Sequence, residues 1–176
     1  MQKFKFSKRE KLSLVLALII FITLFISSSM TYHEQKMSSS TIKTYFGFLD
    51  PLLSHISINY GGQIHSASKD GLTNFTQFFV RKLAHFSSYF LLGLGLFAGL
   101  KRLFLNKVYA FIFIWPITIS LAVFDEYHQY LTGDRTPSVH DVVLDSIGAL
   151  CGILLFLIYR LFIEKICEKK GNKKLI

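Results

Sequence analysis

The stretch LAHFSSYFLLGLGLFAGL, residues 83–100, contains no Asp, Glu, Lys or Arg. A helix rises about 1.5 Å per residue, so this block comes near the roughly 20 residues that a bilayer core requires. Three similar blocks surround it: LSLVLALIIFITLFISSS at 12–29, VYAFIFIWPITISLAVF at 108–124 and VVLDSIGALCGILLFLIYRLFI at 142–163. The shorter blocks borrow flanking residues or rely on local thinning of the bilayer. The predicted fold class is therefore an all-α membrane protein with four transmembrane helices.

Composition agrees. Of the 176 residues, 51% are hydrophobic, 18% charged and 15% aromatic, which excludes a disordered chain, a coiled coil or a nucleic-acid-binding tail. The formal net charge is +9, but the basic residues flank apolar blocks, a pattern of anchoring at an anionic leaflet rather than of nucleic-acid binding. Fourteen of the 20 basic residues precede the first block, join the second to the third, or lie in the last turn of the fourth and beyond it. The positive-inside rule then predicts a multi-pass protein of a bacterial cell membrane with both termini cytoplasmic. The first block also has the basic flank and apolar core of a signal peptide, but no Ala-x-Ala cleavage site follows, so it is read as a retained span. Cys151 lies in an apolar block and Cys167 in a basic tail, which predicts neither a disulfide nor a cysteine metal site.

The segments are a basic N-terminus at 1–11, a first span at 12–29, an extracytoplasmic loop at 30–80, a core with three spans at 81–163, and a basic tail at 164–176. Within the loop, Ile42, Tyr45, Phe46, Leu49, Leu52, Leu53 and Ile56 recur at helical spacing. This predicts an amphipathic helix lying on the outer leaflet and bent near Pro51. Leu72, Phe75, Phe78 and Phe79 lead into the second span, and Gly61-Gly62 marks a turn.

Polar residues gather at one end of the spans. Arg81, His85, Ser88 and Tyr89 share a helix face, as do Asp125, His128 and Gln129, and Asp141 with Asp145. Arg135 lies in the turn between the third and fourth spans. Ionisable residues at membrane depth are expensive and mark function. His shuttles protons near neutral pH, carboxylates orient it or act as bases, and Arg clamps phosphate. Converging, these groups suit a lipid phosphate or a lipid-linked saccharide. The plainer reading is that they pair with one another and cap helices, with Asp141 capping the fourth span. Gly95 with Gly99, and Gly148 with Gly152, read as packing faces. Trp115 and Pro116 read as packing and kinking, and Tyr32, Tyr45 and Tyr60 as interfacial aromatics. His85, Asp125, Glu126, His128, His140 and Asp141 offer metal-ligand chemistry, but no HExxH-type spacing appears, so neither metal nor cofactor is assigned. Nothing resembles the G-x-S-x-G serine motif.

Three stretches, RKLAHFSSYFLLG (81–93), DEYHQYLTGDR (125–135) and DVVLDSIGALCG (141–152), together with Ser27-Ser28-Ser29, resemble the VanZ family of bacterial membrane proteins. The resemblance covers most of the chain after residue 12, apart from 31–75. Two positions depart: Ser88 stands where the family often has Glu, and Asp145 where it often has Asn. The resemblance implies a four-helix membrane domain, a link to resistance against teicoplanin-type lipoglycopeptides, and lipid head-group chemistry at the outer leaflet. Carried onto this chain, it selects Arg81, His85, Tyr89, Asp125, Glu126, His128, Gln129, Arg135 and Asp141. The expectation is an outer-leaflet pocket in which His85, Asp125, His128 and Asp141 do chemistry while Arg81, Tyr89, Glu126, Gln129, Arg135 and Asp145 bind substrate. The expected partner is a membrane lipid or a lipid-linked cell-wall precursor, with a lipoglycopeptide antibiotic as a further ligand and no nucleic acid. The alternatives are a lipid- or antibiotic-shielding module without turnover, and a structural partner subunit. No oligomeric state follows from the sequence.

Overall fold

The computed structural model describes residues 5–132 and 137–172. Four long helices dominate it: α1 (Lys8–Ser29), α6 (Leu72–Leu100), α7 (Lys107–Leu131) and α8 (Val139–Asn172). All four are long and apolar enough to cross a membrane. Their outward faces carry Ile19, Ile26, Ile112, Phe113, Leu155 and Ile158, each about half exposed or more. Large apolar side chains displayed around a bundle in this way match hydrocarbon rather than water as the surrounding solvent.

Local signals set the helix ends. Ser7 accepts from the Glu10 backbone N–H while the Glu10 carboxylate accepts from the Ser7 backbone N–H, a capping box that starts α1. Asn106 accepts from the backbone N–H groups of Val108 and Tyr109 to start α7. Gly71, at φ 80°, turns the chain into α6. From there the Leu72, Phe75, Phe78, Phe79 period runs unbroken into the second span. The helix thus begins before residue 81, and at 29 residues it is about 43 Å long. Its first turns overshoot the ends of its neighbours and carry the loop elements.

Those elements are α2 (Tyr32–Gln35), α3 (Ser39–Phe46), α4 (Asp50–Leu53), α5 (Ala67–Asp70) and a hairpin of β1 (Ser57–Tyr60) and β2 (Gln63–Ser66). The helical period expected over 42–56 is present, but it breaks in a 3-10 turn at Gly47–Leu49 rather than at Pro51. Pro51 falls in the first turn of α4, where its missing N–H leaves no hydrogen bond unmade. Ile42 and Leu53 face the protein, whereas Tyr45, Phe48 and Leu52 face outward. The hairpin was not expected. Tyr60 pairs with Gln63, which leaves Gly61 and Gly62 as a two-residue loop, both at positive φ.

Glycines fix the helix spacing. A Cβ on Gly148 would lie 2.5 Å from the Phe86 carbonyl oxygen, and one on Gly152 only 2.0 Å from that of Phe90. On the facing side, a Cβ on Gly93 would lie 2.5 Å from the Ala149 carbonyl oxygen. Helices α6 and α8 therefore run parallel with their backbones in contact, and the expected packing role of Gly148 and Gly152 holds. Gly95 and Gly99 perform the same task against Ala17 and Leu14 of α1. Tyr89, Leu92, Ala17, Leu24, Ala122 and Ala149 fill the space between the four helices. Within α7, Pro116 interrupts the helical ladder, and Trp115 donates its indole N–H to the Ser146 carbonyl of α8 at 3.1 Å.

Because backbone rather than side chain meets a Cβ at Gly152, the helices must separate to accept one. Gly152→Ala is expected to cost about 1–3 kcal/mol, the range for an overpacked core. Thermal unfolding of the purified protein in detergent should show this loss, with Leu155→Ala on the outward face shifting the midpoint much less.

Candidate functional site

The parallel contact of α6 and α8 places His85, one residue before Phe86, against Asp145, three residues before Gly148. His85 Nδ1 lies 3.6 Å from Asp145 Oδ2 and 3.8 Å from Asp125 Oδ2 of α7. The three side chains are buried, with 15%, 1% and 7% of their surfaces exposed for His85, Asp145 and Asp125 respectively. Gln129 donates its amide N–H to Asp125 Oδ2 at 3.0 Å, one turn along α7. Among the described residues, neither oxygen of Asp145 has a hydrogen-bond partner. This cluster lies among the last turns of α1 and α7 and the first two turns of α8, at the end of the bundle away from both termini.

Around it, other polar groups are tied separately. The Ser28 hydroxyl of α1 is 2.9 Å from His128 Nδ1, and the His128 ring stacks on Phe25 at 4.6 Å between centroids. Glu126 accepts from the Ser138 backbone N–H at 2.9 Å, so this carboxylate anchors the entry to α8. Asp141 accepts from both the Lys82 ammonium and the Tyr60 hydroxyl, the latter from the hairpin tip. The Lys82 ammonium also lies 4.8 Å from the centre of the Tyr60 ring, a cation–π contact.

The expected site residues thus divide. His85, Asp125 and Asp145 meet, with Gln129 in support. His128, Glu126 and Asp141 surround them but have other partners. Tyr89 is 1% exposed and packs in the bundle interior. Arg81 lines a separate cleft of about 320 Å³ with Lys36, His65, Asp70, Asn74, Gln77 and Phe78. Arg135 lies outside the described residues. Sequence reasoning missed Ser28, Lys82 and Tyr60 as site residues. The serine run at the exit of the first span pointed to Ser28, and Lys82 adjoins the selected Arg81. Nothing in the sequence links Tyr60 to Asp141, and its hydroxyl serves as a specific donor rather than as a general interfacial group.

Apolar space opens beside the Lys82–Asp141–Tyr60 group. One groove of about 220 Å³ is lined by Lys82 and Tyr60 with Ile58, Phe78, Phe79, Leu83, Phe86 and Leu144. On the other side of Tyr60, Val139, His140, Val143, Leu144 and Ile147 line a second of about 260 Å³.

Burial, followed by the bond to Asp141, pushes the Tyr60 phenol above its usual range. The neutral phenol is the donor, so its stabilising effect is complete below about pH 10 and is lost as pH rises through the higher folded value. Tyr60→Phe removes a hydrogen bond to a charged group, worth roughly 1.5–3 kcal/mol when buried and less at this half-buried position. Hydrogen exchange at neutral pH should then accelerate in Ser57–Ser66, while the amides of α6 and α7 keep their protection.

A comparison with curated proteins and one with solved structures each return no match. A comparison with known protein families matches VanZ/LLP1 over residues 13–161, from the second turn of α1 to about two thirds of the way along α8. The matched region takes in most of each long helix and all of the polar residues assembled above. The chain belongs to the VanZ/LLP1 family.

Proposed function

We propose that this polar end faces the outside of a bacterial cell membrane and recognises the phosphate of a lipid or lipid-linked cell-wall intermediate. The observation that carries this reading is a groove lined by Lys82 and Tyr60 together with an apolar wall of Phe78, Phe79, Phe86 and Leu144. A lysine in the lining of an apolar trough matches an anionic head group attached to a hydrocarbon chain. The exposed side chains of Tyr45, Phe48 and Leu52 would let the α3–α4 segment rest on the outer leaflet.

His85 supports a further step. An imidazole held between Asp125 and Asp145 is oriented to give or take a proton, as head-group or phosphate-ester chemistry requires. In this reading Asp125 and Asp145 orient His85, while Lys82 attracts phosphate. The consequence for the cell is altered handling of a wall precursor, expressed as lipoglycopeptide resistance or a related envelope function.

A second reading has a specific observation behind it. Asp141 already neutralises Lys82, and the two grooves beside it are mainly apolar. A module that shields a lipid, or the acyl tail of an antibiotic, without turnover needs no more than this.

Mass spectrometry of membrane lipids separates the two. In a Gram-positive host, wild type and His85→Ala are expressed at matched membrane levels. A lipid or lipid-linked species that changes with wild type but not with His85→Ala is expected. An unchanged profile beside intact resistance favours shielding, and Lys82→Ala should then weaken resistance more than His85→Ala does.

Orientation is tested independently. Asn59→Cys, on the exposed edge of the hairpin, should react with a membrane-impermeant maleimide in intact cells. The native Cys167, which is exposed near the end of α8, should react only after permeabilisation. The reverse pattern would place the pocket on the cytoplasmic side.

A further inference from the structure

Two carboxylates facing one imidazole in a buried site form an incomplete set. Even with His85 protonated, one negative charge is left over. The Asp145 side chain is 1% exposed and, among the described residues, neither of its oxygens has a hydrogen-bond partner. The opposite charge it faces there, His85 Nδ1, is 3.6 Å away, beyond a good hydrogen bond. An unsatisfied buried carboxylate is costly, and the cost rises where little water is near.

The geometry points to a zinc ion held by His85 Nδ1 and one carboxylate oxygen each from Asp125 and Asp145. These three atoms lie within 4.8 Å of one another. Zinc binds nitrogen and oxygen at about 2.0–2.2 Å, which puts tetrahedral ligands roughly 3.4 Å apart. The observed 3.6 and 3.8 Å from Nδ1 to the two oxygens close to that spacing by shifts of a few tenths of an ångström. Charge closes as well: neutral imidazole with two carboxylates carries two negative charges, which a divalent cation cancels. Mixed imidazole and carboxylate donors suit zinc, whereas magnesium and calcium favour all-oxygen shells. The 3.0 Å bond from Gln129 to Asp125 Oδ2 is the kind of outer contact that fixes a ligating carboxylate. Three protein ligands leave a fourth position open, as in catalytic zinc sites, where a water or a phosphate oxygen binds.

No short-spacing motif marks this site in the sequence, because its ligands come from three separate helices. The inference rests in part on the function proposed above, since His85 and Asp145 lie about one helical turn from the Lys82–Asp141 pair beside the lipid groove, but zinc binding is read without lipid, so either proposal can fail alone.

The test uses the full chain, purified in detergent, stripped with chelator and equilibrated with buffered zinc. Mass spectrometry of the metal should find roughly one zinc per chain in wild type. Asp145→Asn and His85→Gln should each weaken binding by more than about tenfold. His55→Gln, on an exposed loop position, should not. X-ray absorption at the zinc edge of wild type should show a single imidazole among otherwise oxygen ligands, and this decides the matter even if the variants fail to insert. Zinc well below one equivalent in wild type, or two or more imidazoles on the bound metal, overturns the assignment. So does equal zinc affinity in a folded Asp145→Asn protein.

Discussion

The backbone contact between α6 and α8 is the constraint on which the rest of this structure depends. Hydrocarbon gives helices no hydrophobic reason to associate, so close approach must come from shape. Gly93, Gly148 and Gly152 remove the side chains that would hold the two backbones apart. The same contact sets the register one turn further along, where His85 comes to face Asp145. Packing and site are therefore one arrangement. A shift of either helix large enough to admit a methyl group would also carry the imidazole away from its carboxylate.

Beyond that contact, the polar end is organised by satisfaction of buried groups. Glu126 holds the entry of α8, Gln129 holds Asp125, Ser28 holds His128, and Asp141 holds Lys82 and Tyr60. Each of these bonds joins two different elements or two turns of one helix, so the end of the bundle is cross-linked by short polar contacts while its middle is closed by glycine and apolar packing. Asp145 stands apart, among the described residues, as the buried carboxylate with no such bond, and it sits where three helices converge.

The large features were legible in the sequence. Four apolar blocks gave four helices, because long uninterrupted hydropathy has few other outcomes, and the small-residue pairs correctly marked the close contacts. The convergence of the polar faces was legible only in part. Asp141 and Asp145 lie one turn apart on the same face, yet that turn moves the carboxylate about 6 Å and gives it different neighbours. Helical periodicity reports which side of a helix a residue occupies, not what stands opposite at that height. The hairpin was illegible for another reason: SINY and QIHS are four residues each, too short for alternation to register. What forms them is the Gly61-Gly62 turn and the anchoring of Tyr60 on a distant helix.

That anchoring has a bearing on how the protein is made. Tyr60 and Asp141 are 81 residues apart, and the hairpin leaves the ribosome long before α8 does. Domains and motifs form from the N-terminus as synthesis proceeds. Until the fourth long helix arrives, the hairpin tip has no carboxylate to hold, α6 has no glycine face to meet, and His85 has only one of its two acidic neighbours. The pocket is thus the last part of the molecule to be completed, and a chain cut short before α8 possesses three membrane-compatible helices and a site that lacks Asp141 and Asp145.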